Sequence, residues 1–420
     1  MKVPCSAELQ VIRKPIMPVI DDSGAAVTRA LELPVGSDGG IGSLKQLAER
    51  SKSACIAICD ITRPVPNRLF LRPAIETLLA AGMNADSITV LVATGLHRPN
   101  EGDELRELVG DDWVLDNIRV VNHVATNDND HVELGRTSTR GTPVKIDRRF
   151  VDADLRIATG LIEPHFMAGY SGGRKVIAPG LAHADTIRTF HNHAFMSNPA
   201  AKNCNLDENP LHEEQLQIVK MLGGAFAINT VIDEDRNLSF VNFGEILASH
   251  AEAVEFVQQY CCVDVDRRFD VVVTSAAGYP LDQTYYQTVK GMVGAIDILK
   301  QGGDLFIVAE CSEGIGSADY LHAQRRLGQL GDDGFIQSLQ GKNLADIDEW
   351  QTQMQTKATR VGTVHLYSKL DDSLKSLTGV RTYHSVEEFQ TVLNDAIERS
   401  NDRSIAAIPE GPYVIPRVAG

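Results

Sequence analysis

At 420 residues the chain is too long for one ordinary hydrophobic core, so two domains are expected. Its 43% hydrophobic and 23% charged content is that of a globular protein and excludes wholesale disorder. A formal net charge of -16 sets the molecule against phosphate backbones, which excludes a general nucleic-acid binder and makes any local cluster of Arg and Lys informative as a specific anion site.

The first twenty residues contain no long apolar stretch of the signal-peptide kind. No apolar run approaches the ~20 residues that span a bilayer. The expectation is a cytoplasmic protein with no membrane partner. Seven cysteines, Cys5, Cys55, Cys59, Cys204, Cys261, Cys262 and Cys311, include no C-x-x-C pair. That fits a reducing compartment better than a disulfide framework or a zinc ribbon.

In chain order, the apolar runs Ala54–Cys59, Ile88–Ala93, Ile118–Val121 and Leu155–Ala158 read as buried parallel strands. A helical pattern from Asn67 to Ala81, ended by Gly82, lies between the first two. Such alternation predicts right-handed crossovers and a doubly wound sheet. Residues 131–150 alternate around Gly141-Thr142-Pro143 and predict a hairpin. Glu245 to Tyr260 is helical by pattern. A second series follows: strand Asp270–Ser275, helix Gln283–Lys300, strand Gly303–Glu310 opened by Gly302-Gly303, and a late helix Glu387–Arg399. The fold class is therefore α/β in two domains, each a mostly parallel sheet flanked by helices. The boundary falls near 262–269, giving domains 1–266 and 267–420, with the active site expected in the cleft between them.

Three polar clusters follow predicted strands: Asp60-Ile-Thr-Arg63-Pro64, Thr94-Gly-Leu-His97-Arg98-Pro99 and Glu163-Pro-His165. Ligands of open α/β sheets bind at the carboxyl ends of strands, so the three should converge on one crevice. Arg63 suits a bidentate grip on a carboxylate or phosphate, although an Asp60–Arg63 pair tying down the loop would look the same. His97, in a loop, has an imidazole suited to acid/base work, although most of the 12 His must be bland.

The segment Gly169-Tyr-Ser171-Gly172-Gly173-Arg174-Lys175 has three glycines that allow backbone N–H groups close to an anion, and two cations to complete the site. It is no Walker loop, because Val176 follows the lysine. Gly169-x-Ser171-x-Gly173 matches a serine-hydrolase elbow, but no strand is expected to run straight into Ser171. His191-Asn-His193 is a possible metal pair. In a helical context the two rings diverge, so at most one would be a ligand. Gln287 and Lys290, three apart on a predicted helix beside Tyr286, suit a carboxylate, as would an exposed amphipathic turn. Glu310 to Gly316 follows a strand and suggests another crevice loop. Trp350 is one of two tryptophans and by type belongs in a core.

The ordered set Asp60-x-Thr-Arg63-Pro, Thr94-Gly-x-His97-Arg, Glu163-Pro-His165, Gly169-x-Ser-Gly-Gly-x-Lys175 and Tyr286-Gln287-x-x-Lys290 resembles the nickel-dependent lactate racemases. The resemblance runs from about Asp60 to Trp350. It implies an isomerase that racemises or epimerises a 2-hydroxy acid by proton-coupled hydride transfer through a transient 2-keto acid. It implies a cofactor, nickel held by a pyridinium-3-thioamide-5-thiocarboxylic acid mononucleotide, joined to Lys175. Asp60, Ser171, Gly172 and Gly173 would surround it. His191, or His193 after a small alignment shift, would be the protein's nickel ligand. His97 and His165 would be the paired acid/base groups, and Arg63, Gln287 and Lys290 would hold the carboxylate, with Tyr286 and Trp350 shaping the site. Partners would be a small anionic 2-hydroxy acid and the proteins that make and insert the cofactor. The residues alone leave open a serine hydrolase using Ser171 and a non-catalytic binder of small carboxylates.

Overall fold

The structure is a computed structural model, and it describes residues 2–4, 7–36, 40–279, 281–400 and 402–419. Cys5, noted above, lies outside the described residues. Two six-stranded sheets organise the chain. The first has the strand order 238–245, 226–232, 155–161, 54–59, 88–93, 119–122. Its five neighbouring strands from 226–232 to 119–122 are parallel, and only the edge strand Leu238–Glu245 is antiparallel. The second has the order 8–11, 404–408, 269–275, 299–308, 363–367, 381–383 and is parallel throughout.

Each sheet is buried on both faces, which is why its strands read as unbroken apolar runs. In Ala54–Cys59, Cys55 and Ala57 enter one core while Ala54, Ile56 and Ile58 enter another. In the second sheet Val272, Leu305 and Ala406 face one core, and Val271, Phe306 and Ile405 the other. These are the two sides of a period-two strand. One core joins the halves: Val289, Val293, Trp350 and Met354 pack with Ala57, Ala158 and Val176.

The α/β class with mostly parallel sheets flanked by helices agrees with the sequence reading. The strands Ala54–Cys59 and Ile88–Ala93 have the expected limits, and the hairpin pairs 131–136 with 143–147. Several elements differ. The third sheet strand continues past Ala158 to Leu161. The helix expected over 283–300 spans only Tyr285–Ala295. Gly302-Gly303 does not open a strand but forms an irregularity within Leu299–Val308, with Gly302 at φ +80°. Chain order also fails to sort the strands completely. Glu8–Val11 pairs with Ser404–Ala407 of the second sheet, and Cys262–Val265 pairs with 415–418 near the C-terminus. A strand four residues long carries little pattern, and its sheet is decided by long-range pairing. No helix among the described residues is long and apolar enough to cross a membrane.

Candidate active site

Asp60 and Thr94 directly follow the adjacent parallel strands 54–59 and 88–93, and Glu163 comes two residues after 155–161. The sheet thus delivers three loops to one edge. There a cavity of ≈ 1060 Å³, counted to its open mouth, is lined by residues of both halves. Asp60, Arg63, His97, His165, Ser171, Gly172, Lys175, His191, Tyr286, Gln287, Lys290 and Trp350 all border it. Gly173 does not; it lies beneath, where an added Cβ would meet Ala227 Cβ at 2.8 Å.

His97 is fixed by Asp60, whose Oδ2 lies 2.6 Å from Nδ1. The other Asp60 oxygen accepts from Thr62 Oγ1 at 2.6 Å. With Nδ1–H committed to the carboxylate, Nε2 is the nitrogen left to react. Desolvation opposes both charges, strongly for the buried Asp60 and less for His97, whose side chain is 47% exposed. For Asp60 the facing His97 and the Thr62 hydroxyl outweigh it, so the carboxyl is held below its ordinary range. For His97 the Asp60 carboxylate outweighs it, so the imidazole keeps its proton to higher pH than a free one.

His165 is set up differently. Its Nδ1 accepts from the backbone N–H groups of Met167 and Ala168 at 3.3 and 3.1 Å. A neutral ring must then carry its proton on Nε2, which lies 3.1 Å from Lys175 Nζ. Burial, then the Lys175 and Arg63 charges, push this histidine well below its usual range. Lys175 is lowered to about 7, by burial first and then by Arg63 and Arg174. Lys290 is likewise well below its ordinary value because of burial and Arg63. Arg63 reaches one carboxylate, Glu163, at 3.5 Å. Beside Arg63 both lysines lose their protons readily, and an anion bound there would favour their charged forms.

His191 caps the end of the helix Ala184–Phe190, and Asn192 starts the next short helix, so neither a strand nor one continuous helix holds the His pair. His191 Nδ1 donates to Ile187 O at 2.9 Å, and its ring packs 5.0 Å from that of Trp350. Burial holds it neutral, at about 4, so Nε2 keeps a lone pair beside the cavity. His193 is not among the lining residues.

One expectation about the glycine-rich segment, that both cations complete the site, needs correction. The glycines are pressed against protein. A Cβ on Gly169 would meet Asn205 O at 2.2 Å, and one on Gly172 would meet Ile162 Cδ1 at 2.5 Å. On the strand below, a Cβ on Gly160 would meet Gly173 N at 2.5 Å. Close packing thus requires glycine at these positions, and Gly172 also borders the cavity. The second cation turns inward. Arg174 is fully buried, donates to the carbonyls of Ala168, Tyr170 and Ser171, and gives Nε–H to His212 Nδ1 at 2.9 Å. It braces the loop, and only Lys175 reaches the cavity.

Ser171 Oγ is buried and has no hydrogen-bond partner, so no base activates it as a hydrolase nucleophile. Gln287 Oε1 is buried and unpartnered too. Both residues border the cavity, where native structures rarely leave such atoms unpaired. The donor set fits the implied cofactor: one neutral imidazole, one uncharged lysine and an unpaired hydroxyl. Sequence reasoning missed Asp348 and Gln351, which also line the cavity. Asp348, at φ +63°, accepts from Ser317 Oγ at 2.5 Å. No local pattern marks it; only its place two residues before Trp350 hinted at the region.

Fold and cavity together define an α/β enzyme with two sheets and a cationic, histidine-bearing site at the strand ends. The profile of the lactate racemase N-terminal domain matches residues 1–203, and that of the C-terminal domain residues 265–416. The lactate racemase of Thermoanaerobacterium thermosaccharolyticum is 34% identical over 400 residues, covering 93% of this chain and 90% of that one. That of Lactiplantibacillus plantarum is 32% identical over 398 residues, with the same coverages. The solved lactate racemase apoprotein from T. thermosaccharolyticum superposes with a TM-score of 0.89 at 30% identity, over 99% of this chain and 97% of that one. A Thermotoga maritima protein with TM-score 0.67 and 17% identity, over 90% and 97% of the two chains, shares the fold. The chain belongs to the lactate racemase family, and it is an isomerase.

Proposed function

We propose that the chain racemises or epimerises a 2-hydroxy carboxylate, lactate or a close relative, using nickel in a pyridinium mononucleotide joined to Lys175. The observation that carries this is the meeting of His97, His165, Lys175, His191, Arg63 and Lys290 around one cavity. Lys175 as a free amine is the form that can be acylated, and His191 Nε2 suits a nickel(II) site. When bound, this group supplies a reversible acceptor of hydride at carbon 2, so that the carbon becomes planar and can be re-formed in either configuration.

The chain's own residues do the rest. Arg63 and Lys290 hold the substrate carboxylate, with Gln287 offering a further hydrogen bond. His97, oriented by Asp60, takes the hydroxyl proton through Nε2 and returns it. Once Lys175 is acylated and no longer accepts from it, His165 turns its Nε2–H to the substrate oxygen. For the enantiomer that presents its hydroxyl to His165, the ring takes the other tautomer, and Nδ1 releases the Met167 and Ala168 N–H groups. Trp350 and Tyr286 close the walls and limit water.

The test is a chiral assay on protein coexpressed with cofactor-making enzymes, with intact mass and nickel content measured on the same sample. Loaded protein should interconvert the enantiomers of lactate, malate or a larger 2-hydroxy acid. His97→Ala and His165→Ala should each lose about 10²–10⁴-fold in turnover while still binding substrate. Loaded protein inactive across the panel refutes the reading, and variants altered only in affinity would favour a carboxylate-binding protein.

A further inference from the structure

Away from the site, Cys204, Cys261 and Cys262 bring their sulfurs together, all within 4.8 Å of one another. Cys204 Sγ is 4.0 Å from Cys261 Sγ, and Cys261 Sγ is 3.8 Å from Cys262 Sγ. Tyr170 Oη lies 3.8 Å from Cys262 Sγ. Three sulfurs each about 2.3 Å from one metal ion must stand about 3.8–4.0 Å apart, in tetrahedral or trigonal arrangement. Two edges of this triangle already have that length. Packing alone does not require it, since apolar residues would fill the same space without three ionisable groups.

From this geometry we infer that Cys204, Cys261 and Cys262 form a structural site for one thiophilic d¹⁰ cation, of the zinc(II) or copper(I) kind. Thiolate sets select such ions over hard cations. Binding displaces the thiol protons to solvent, and no electron changes hands. The ion reaches the cluster through a second cavity of ≈ 1100 Å³, which Cys261 borders. Cys261 ends the helix Ile246–Cys261, and Cys262 begins the strand that pairs with residues 415–418. Cys204 lies in the loop whose N–H donates to Gly169 O at 3.0 Å. The ion therefore staples the start of the second half to the loop beneath the segment that carries Ser171 and Lys175. It is separate from His191 and needs no nucleotide.

The experiment is titration of the reduced, cofactor-free full chain with cadmium ion, followed by the ultraviolet thiolate-to-cadmium charge-transfer band. Saturation at one equivalent is expected, and Cys204→Ser should weaken binding about tenfold or more. Because a serine variant can fold poorly, wild-type protein is also alkylated with and without zinc ion and mapped by mass spectrometry. Zinc should protect Cys204, Cys261 and Cys262 and raise the melting temperature. Absence of the band, protection of other cysteines, or a Cys204–Cys261 disulfide that forms equally fast with saturating zinc would each overturn the inference.

Discussion

Lys175 Nζ lies 3.1 Å from His165 Nε2, and the opposite nitrogen of that ring is occupied by two backbone N–H groups. A neutral His165 can therefore only donate to Lys175, and a lysine that accepts a hydrogen bond is a free amine. The same conclusion follows from burial and the Arg63 and Arg174 charges, which lower Lys175 to about 7. In cofactor-free protein Lys175 should react with an amine-acylating reagent well below the pH at which surface lysines do. Its rate should rise with pH around a midpoint near 7. Peptide mapping of the acylated protein checks this, and a midpoint at the ordinary lysine value would contradict the geometry.

Asp60 raises the proton affinity of His97 and pins its tautomer through the 2.6 Å contact. Asp60→Asn removes the charge that holds the His97 proton, so His97 should lose its proton at lower pH than in the parent. Imidazole proton resonances followed against pH would show the shift. Turnover in loaded enzyme should fall more than substrate affinity, since orientation and basicity are lost while Arg63 and Lys290 remain. The pair also affects stability. A histidine raised by folding stabilises the protein below its unfolded pKa, and that contribution is lost as pH rises through the folded one. The depressed Asp60 carboxyl contributes above its unfolded pKa and loses it as pH falls through the folded value.

Burial and the Arg63 charge lower the proton affinity of both Lys175 and Lys290, and Lys175 further lowers that of Lys290. A bound carboxylate offsets that repulsion and favours the protonated lysines. Binding of a 2-hydroxy carboxylate to cofactor-free protein at or above neutral pH should therefore take up protons. Titration calorimetry in buffers of different ionisation enthalpy reads the uptake directly. Lys290→Met should reduce it and weaken binding about tenfold to a hundredfold, as expected for one charged hydrogen bond of roughly 1.5–3 kcal/mol.

Gly160→Ala tests why glycines crowd this region. The new Cβ would stand 2.5 Å from Gly173 N and 2.8 Å from Gly172 Cα, both backbone atoms that cannot swing away. The helix Gly173–Ile177 must then shift off the sheet, at a cost of about 1–3 kcal/mol. A lower urea midpoint with an unchanged slope is expected, together with poorer loading of Lys175.

The strands 54–59, 88–93, 119–122, 155–161, 269–275 and 299–308 were legible because a doubly covered parallel strand is apolar at nearly every position, whereas 226–232, 363–367 and 404–408, just as central, went unread. The polar clusters at Asp60, Thr94 and Glu163 were legible for the same reason, since each follows such a run. Gly302-Gly303 misled because a glycine pair signals a break locally, whereas the sheet tolerates it as a bulge. Arg174 misled because sequence shows a charge but not its direction. Three carbonyls of its own loop and the His212 and His250 rings draw it inward. Asp348 was invisible, since it reaches the cavity only through the packing of the second half.

By itself the sequence determined what depends on neighbours along the chain: the α/β class, the strand ends and an ordered motif set specific enough to point to a family. Tertiary structure decided what depends on distance through space. It brought Lys290 and Trp350 to the same cavity as His97, left His193 outside it, fixed the tautomer of His165, and gathered Cys204 with Cys261 and Cys262 across a sequence separation of 57. Spacing rules see ligands only when they sit close in sequence, whereas hydrogen bonds and metal sites respond to separations of a few ångströms, which folding alone sets.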